Sequence, residues 1–256
     1  MTVFVKTALL LILTTNVFAQ QNPSFKKELF VSSNDSLPYR LAYPVNYSNK
    51  QTYPLVLFLH GSGQRGNDNE VQLSNVALFM DSLNRIKYPC FILVPQCPKK
   101  DVWVNFPGFP NSIAATDTPT TSAKLVLTLI GKLTKELPIN KNRIYITGPS
   151  MGGEGTFDFL TRRPDLFAAA VPLCSVADTS KAKYIKHVPV WAFHGDEDNV
   201  NDVKYSRMMV AALKAAGGNP RYTEYKGVQH NCWTKAYAEP ELLPWLFSNE
   251  RNKPVR

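Results

Sequence analysis

The chain has 256 residues, of which 44% are hydrophobic and 19% charged, and it carries a formal net charge of +9. These proportions exclude a disordered or low-complexity chain and fit one large α/β domain able to bury its own core. The basic residues are scattered, as at Lys26-Lys27, Lys99-Lys100 and Arg162-Arg163 and in a tail with Arg251, Lys253 and Arg256. No run is dense enough for a nucleic-acid or polybasic membrane patch.

In chain order, residues 1–19 read as a signal peptide. Lys6 precedes the apolar run Ala8 to Leu13, and Val17-Phe18-Ala19 places small residues at the positions a signal peptidase requires. The expectation is an exported protein, periplasmic or extracellular, that begins at Gln20 and has no stable membrane insertion after cleavage. Residues 20–256 are then expected to form one catalytic domain. Short apolar runs over 27–31, 39–43, 55–60, 91–95, 143–147, 168–173, 190–194 and 221–225 read as strands. The middle ones are almost wholly apolar, as strands covered on both faces are. Helical spacing marks 75–84, 120–137, 151–163, 203–216 and 239–247, with Gly217-Gly218 and Pro138 as stop signals. The alternation predicts an α/β fold: a mostly parallel sheet of eight strands with helices on both faces. About 17 residues separate Leu173 from Val190, too few for a large cap domain. The longest loop, 96–119, is expected to shape a pocket.

The motif with most chemical content is Gly148-Pro149-Ser150-Met151-Gly152. It is a G-x-S-x-G pattern directly after a strand and before a helix, the context in which a serine is held on a sharp turn with its hydroxyl exposed. Serine needs a base and an orienting acid. His187, His194 and His230 follow it. His230 stands in the loop after the last strand and is the expected base; His194 ends an apolar strand and reads as structural, and His187 as exposed. The loop after residue 194 offers Asp196, Glu197 and Asp198. Asp198 has the preferred spacing for the acid, with Asp196 the runner-up and Glu197 expected to face solvent. The amide of Met151 is one expected oxyanion donor, and that of Ser62, or alternatively Gly61, the second. Trp103, Phe106 and Trp233 are candidate substrate-binding aromatics near the pocket mouth. Cys90, Cys97, Cys174 and Cys232 lack zinc-site spacing and read as small, partly buried thiols, with any pairing left open among three connectivities. No metal or organic cofactor is expected.

Together these segments resemble the α/β-hydrolase superfamily, and within it the dienelactone hydrolase, phospholipase/carboxylesterase and prolyl-oligopeptidase-like esterase group. The resemblance rests on residues 57–66, 94–98, 148–156, 164–172, 194–200 and 225–231 and extends over roughly 35–248. It implies a Ser150, Asp198 and His230 triad, an oxyanion hole at the loop 60–63 and Met151, and carboxylesterase chemistry, since dienelactone hydrolases proper carry cysteine at the nucleophile. The expected substrate is a small-molecule or polysaccharide-linked ester, such as a feruloyl or acetyl ester, with no nucleic-acid partner. The alternatives are a prolyl-oligopeptidase-like serine peptidase and a non-catalytic binding protein on the same fold.

Overall fold

The computed structural model describes residues 24–251; the expected signal peptide lies outside them. Eight strands form one sheet: β1 (Lys26–Ser32), β2 (Asp35–Ala42), β3 (Tyr53–Phe58), β4 (Phe91–Pro95), β5 (Ile139–Pro149), β6 (Ala169–Leu173), β7 (Trp191–Gly195) and β8 (Arg221–Tyr225). Their spatial order is β1-β2-β4-β3-β5-β6-β7-β8. β1 pairs antiparallel with β2 and β2 antiparallel with β4, and every pair from β4–β3 to β7–β8 is parallel. The helices are α1 (Ala77–Met80), α2 (Ser82–Lys87), α3 (Thr121–Glu136), α4 (Met151–Arg162), α5 (Ala182–Ile185), α6 (Lys204–Ala215), α7 (Trp233–Ala236) and α8 (Leu242–Ser248).

The apolar strands are explained by two cores. Every residue of β3 is buried, and alternate side chains go to opposite faces. Leu55 and Leu57 belong to one core with Leu129 of α3, Leu160 of α4 and Leu213 of α6, while Val56 and Phe58 belong to the other with Phe79 of α1 and Leu246 of α8. Each such side chain contributes roughly 1.5–3 kcal/mol on burial, so no face of the central sheet can be left bare.

The helix read over 75–84 is in fact two. The chain turns extended at Asp81, and the Asp81 side chain accepts the Asn84 amide at 2.9 Å, capping α2 as a new start. Thr120 caps α3 in the same way, through the Ala123 amide at 3.1 Å. Between β6 and β7 stand only a 3-10 turn and α5, with no large cap. Among the described residues no helix is long and apolar enough to cross a membrane. The parallel strands end on a common edge, and the loops after β3, β5, β7 and β8 converge there, where sites on such sheets form.

Candidate active site

The turn from β5 to α4 is made by close backbone approach. A Cβ on Gly148 would stand 2.2 Å from the Leu59 carbonyl oxygen, and one on Gly152 only 2.0 Å from it. Ser150 between them adopts φ 56°, ψ −124°, a conformation that L-residues avoid unless their surroundings enforce it. Its amide donates to the Leu173 carbonyl at 2.9 Å and its carbonyl accepts from the Glu154 amide at 3.0 Å, so both backbone groups are tied, and its side chain is not spent on capping the helix.

The Ser150 hydroxyl donates to Nε2 of His230 at 2.8 Å, and Nδ1–H of His230 donates to Oδ2 of Asp198 at 2.7 Å. The tautomer follows from the acceptor-only carboxylate. Oδ1 of Asp198 accepts the amides of Val200 and Asn201, each at 2.9 Å. His194, wholly buried, brings Nε2 to 3.1 Å from the same Oδ2 and to 2.8 Å from the Asn201 carbonyl, while its Nδ1 meets the Ser206 hydroxyl at 2.7 Å. Burial alone would raise the Asp198 carboxyl; hydrogen bonds from His194, His230 and the two amides outweigh it and hold the group far below the usual carboxylate range. Of the other acids in this loop, Glu197 is exposed, and Asp196 accepts the Gly227 amide at 2.6 Å, which anchors the loop carrying His230. His187 is exposed.

The His230 loop is also held covalently. Cys232 forms a disulfide with Cys174, which follows β6, with Cα atoms 6.6 Å apart. This fills in the pairing that the sequence leaves open: Cys90 and Cys97 are free, both buried, and burial pushes each thiol up to about 12. A separation of 58 residues in sequence carries no trace of that proximity.

Beside Ser150 lies the loop after β3. Ser62 opens a 3-10 turn (Ser62–Gln64) capped by Gly61, and Met151 opens α4. Gly61 has no side chain to offer and that of Ser150 makes no cap bond, so the first amides have no partner within their own turns. A Cβ on Gly61 would lie 3.7 Å from Cβ of Ser150, so the two turns face each other. The Gly61 carbonyl is held by Nδ1–H of His60 at 2.7 Å, and Nε2 of His60 accepts the Cys97 amide at 3.0 Å. Burial pushes the His60 imidazole down to about 4, consistent with that neutral, bridging role.

The aromatic candidates separate. Trp103 is fully buried; its indole N–H donates to the His60 carbonyl at 2.9 Å, so it supports the loop after β3 from beneath and does not face substrate, which corrects the expectation for it. Trp233 is half-buried and meets the His230 ring edge-on at 5.6 Å. Phe106 lines a cavity of about 280 Å³ together with Phe157 and Met209. Glu154, one turn along α4 from Ser150, also lines it and receives the Asn201 side-chain amide at 3.3 Å. Sequence reasoning passed over Glu154 and Asn201. The four-residue step from Ser150 to Glu154, which places both on one helix face, was the available signal for the first; none existed for the second.

Residues 43–239 match the family model described as phospholipase/carboxylesterase. Acyl-protein thioesterase 1 of Neurospora crassa is 34% identical over 102 residues, covering 36% of this chain and 41% of that protein. Acyl-protein thioesterase 1 homolog 2 of Dictyostelium discoideum is 26% identical over 208 residues, covering 73% and 90%. Among solved structures, a thermostable esterase is 37% identical with a TM-score of 0.81, covering 89% of this chain and 63% of that one. The chain thus spans less than two thirds of the Neurospora protein and of the thermostable esterase. A ferulic acid esterase of Anaeromyces mucronatus, 16% identical with a TM-score of 0.65 and coverage of 90% and 93%, shares the fold. With the family model matching most of its length, the chain belongs to the phospholipase/carboxylesterase family and has the α/β-hydrolase fold.

Proposed function

We propose that the protein is a serine carboxylesterase working through an acyl-enzyme. The observation that carries this is the unbroken hydrogen-bond chain from Ser150 through His230 to Asp198, at 2.8 and 2.7 Å. Ser150 attacks the ester carbonyl as its proton passes to Nε2 of His230. The oxyanion is met by the amides of Met151 and Ser62, donors of a kind worth about 3–4 kcal/mol each. The imidazolium, stabilised by Asp198, gives its proton to the leaving alcohol. It then takes one from the water that attacks the acyl-enzyme and returns it to Ser150 Oγ as the acid departs. No step requires a cofactor.

The finer reading is an exported esterase of carbohydrate-linked acetyl or feruloyl esters. It is supported by the leader-like residues 1–19, by a site without a large cap, and by Phe106 at the cavity. A second reading, cleavage of acyl thioesters, is favoured by the naming of two relatives as acyl-protein thioesterases. The test is hydrolysis of p-nitrophenyl acetate and labelling by a fluorophosphonate in the protein and in Ser150→Ala. Loss of both by several orders of magnitude is expected, and turnover like that of the unaltered protein would refute the proposal. A panel of acetyl, feruloyl, long-acyl, glucuronoyl and S-acyl substrates ranks the finer readings.

A further inference from the structure

The cavity lined by Phe106 and by Glu154, Phe157 and Asp158 of α4 has a charge pattern opposite to that of the whole protein. The chain carries +9 overall, yet four carboxylates (Asp117, Glu154, Asp158 and Asp178) line this cavity against two cations, Arg162 and Lys181. Both cations are already engaged, Arg162 with Asp158 at 2.6 Å and Lys181 with Asp117 at 2.8 Å. Asp178 is occupied by the Ala115 amide at 3.1 Å and by the amide and hydroxyl of Ser180. Glu154 differs: among the described residues no cation lies within ion-pair distance of it, and its hydrogen-bond partner is the Asn201 amide. It is also the cavity residue nearest in sequence to Ser150. Its partner Asn201 also donates its backbone amide to Asp198 at 2.9 Å, so the Glu154 end of the cavity adjoins the triad, about one helical turn from Ser150.

We propose that this cavity receives one substituent of the ester and that Glu154 sets its charge preference: uncharged, hydroxyl-bearing or aromatic substituents enter, and carboxylate-bearing ones are turned away. The inference rests on Ser150 being the nucleophile and adds a specificity-determining residue to that reading. Phe106 and Phe157 supply the apolar wall for such a substituent. A hydroxyl group suits Glu154 in either protonation state, since it accepts from the acid and donates to the carboxylate. A carboxylate meets a like charge at a poorly screened position with no free cation to offset it. Burial pushes Glu154 up to about 7, against the opposing pull of Asn201 and His230, so the repulsion is fully developed only in mildly alkaline solution.

The substituent is either the acyl group or the alcohol, and the experiment separates the two. In the acyl arm, kcat/KM is compared for p-nitrophenyl valerate and mono-p-nitrophenyl glutarate; in the alcohol arm, for phenyl acetate and p-acetoxybenzoate. Both are run at about pH 8, above the Glu154 midpoint. The expected result is a preference of about tenfold or more for the neutral member in one arm, which identifies the substituent that occupies the cavity. Glu154→Gln, of the same shape, should cut that ratio at least about threefold. Tyr184→Lys should cut it too, because Tyr184 is half exposed at the cavity rim and its replacement adds a cation without disturbing the core. No neutral preference in either arm, or a ratio that neither folded variant changes, overturns the inference. In both cases Ser150-dependent turnover of p-nitrophenyl acetate leaves the esterase reading standing. Absence of turnover on every ester brings down both.

Discussion

Replacing Asp198 with asparagine isolates the orienting role of the carboxylate. Asp198 receives four donors: the Val200 and Asn201 amides on Oδ1, and His230 and His194 on Oδ2. The backbone amides cannot change role, so the asparagine oxygen must take the Oδ1 side and the NH2 must face the histidines. His194 loses little, because its Nε2–H retains the Asn201 carbonyl at 2.8 Å. His230 can receive the new NH2 only by moving its proton from Nδ1 to Nε2, where it confronts Ser150 and cannot accept the serine proton. The structural cost is on the order of 1–3 kcal/mol, for one disturbed buried donor. The catalytic cost is far larger, about 10³–10⁴-fold in kcat, the scale of a wrong imidazole tautomer. The assay is kcat and kcat/KM on p-nitrophenyl acetate, with urea unfolding to measure stability, and Asp196→Asn as the control. Asp198→Asn within about tenfold of the unaltered protein, or Asp196→Asn equally inactive, would refute the reasoning. The stability difference must also depend on pH. Because the folded carboxyl lies below its unfolded value, its contribution is complete above the ordinary carboxylate range and disappears as pH falls through the depressed folded value. The gap between protein and variant should therefore close in acid.

Opening the Cys174–Cys232 bridge, by reductant or by serine at both positions, should cost about 2–4 kcal/mol in urea unfolding, because it closes a 58-residue separation; an unchanged midpoint would contradict this. The same change frees the loop bearing His230, so kcat should fall more than KM rises. Gly152→Ala would force a Cβ to 2.0 Å from the Leu59 carbonyl, a backbone atom that cannot yield, and soluble expression or thermal melting should show a loss of at least about 1–3 kcal/mol. Glu154 carries a folded value raised to about 7, so the folded state holds its proton longer than the unfolded chain. Stability relative to Glu154→Gln should then decline as pH rises from the ordinary glutamate range through about 7, and melting curves that run parallel across that window would count against it.

The eight strands were legible because apolar runs and turn residues are local signals, and each run falls on a strand of the sheet. The extra break at Asp81 was missed because an aspartate inside a helical pattern reads as a polar face until its side chain is seen to cap the next turn. Ser150, His230 and Asp198 were chosen from chain order and loop position, and the fold brings those three together. Trp103 was misread because an aromatic in a long loop carries no mark of whether it faces outward or, as here, lies under the loop after β3.

By itself the sequence determined the alternation of strand and helix, the strained turn at Ser150 and the order of the candidate triad, since backbone preference and side-chain chemistry act over a few neighbouring residues. Only the tertiary structure decided which cysteines pair, which acid meets His230, what the wholly buried His194 contributes, and that Glu154 lines a cavity whose two cations are engaged by other carboxylates. Each of those depends on groups tens of residues apart being packed within a few ångströms, a relation that short-range patterning does not encode.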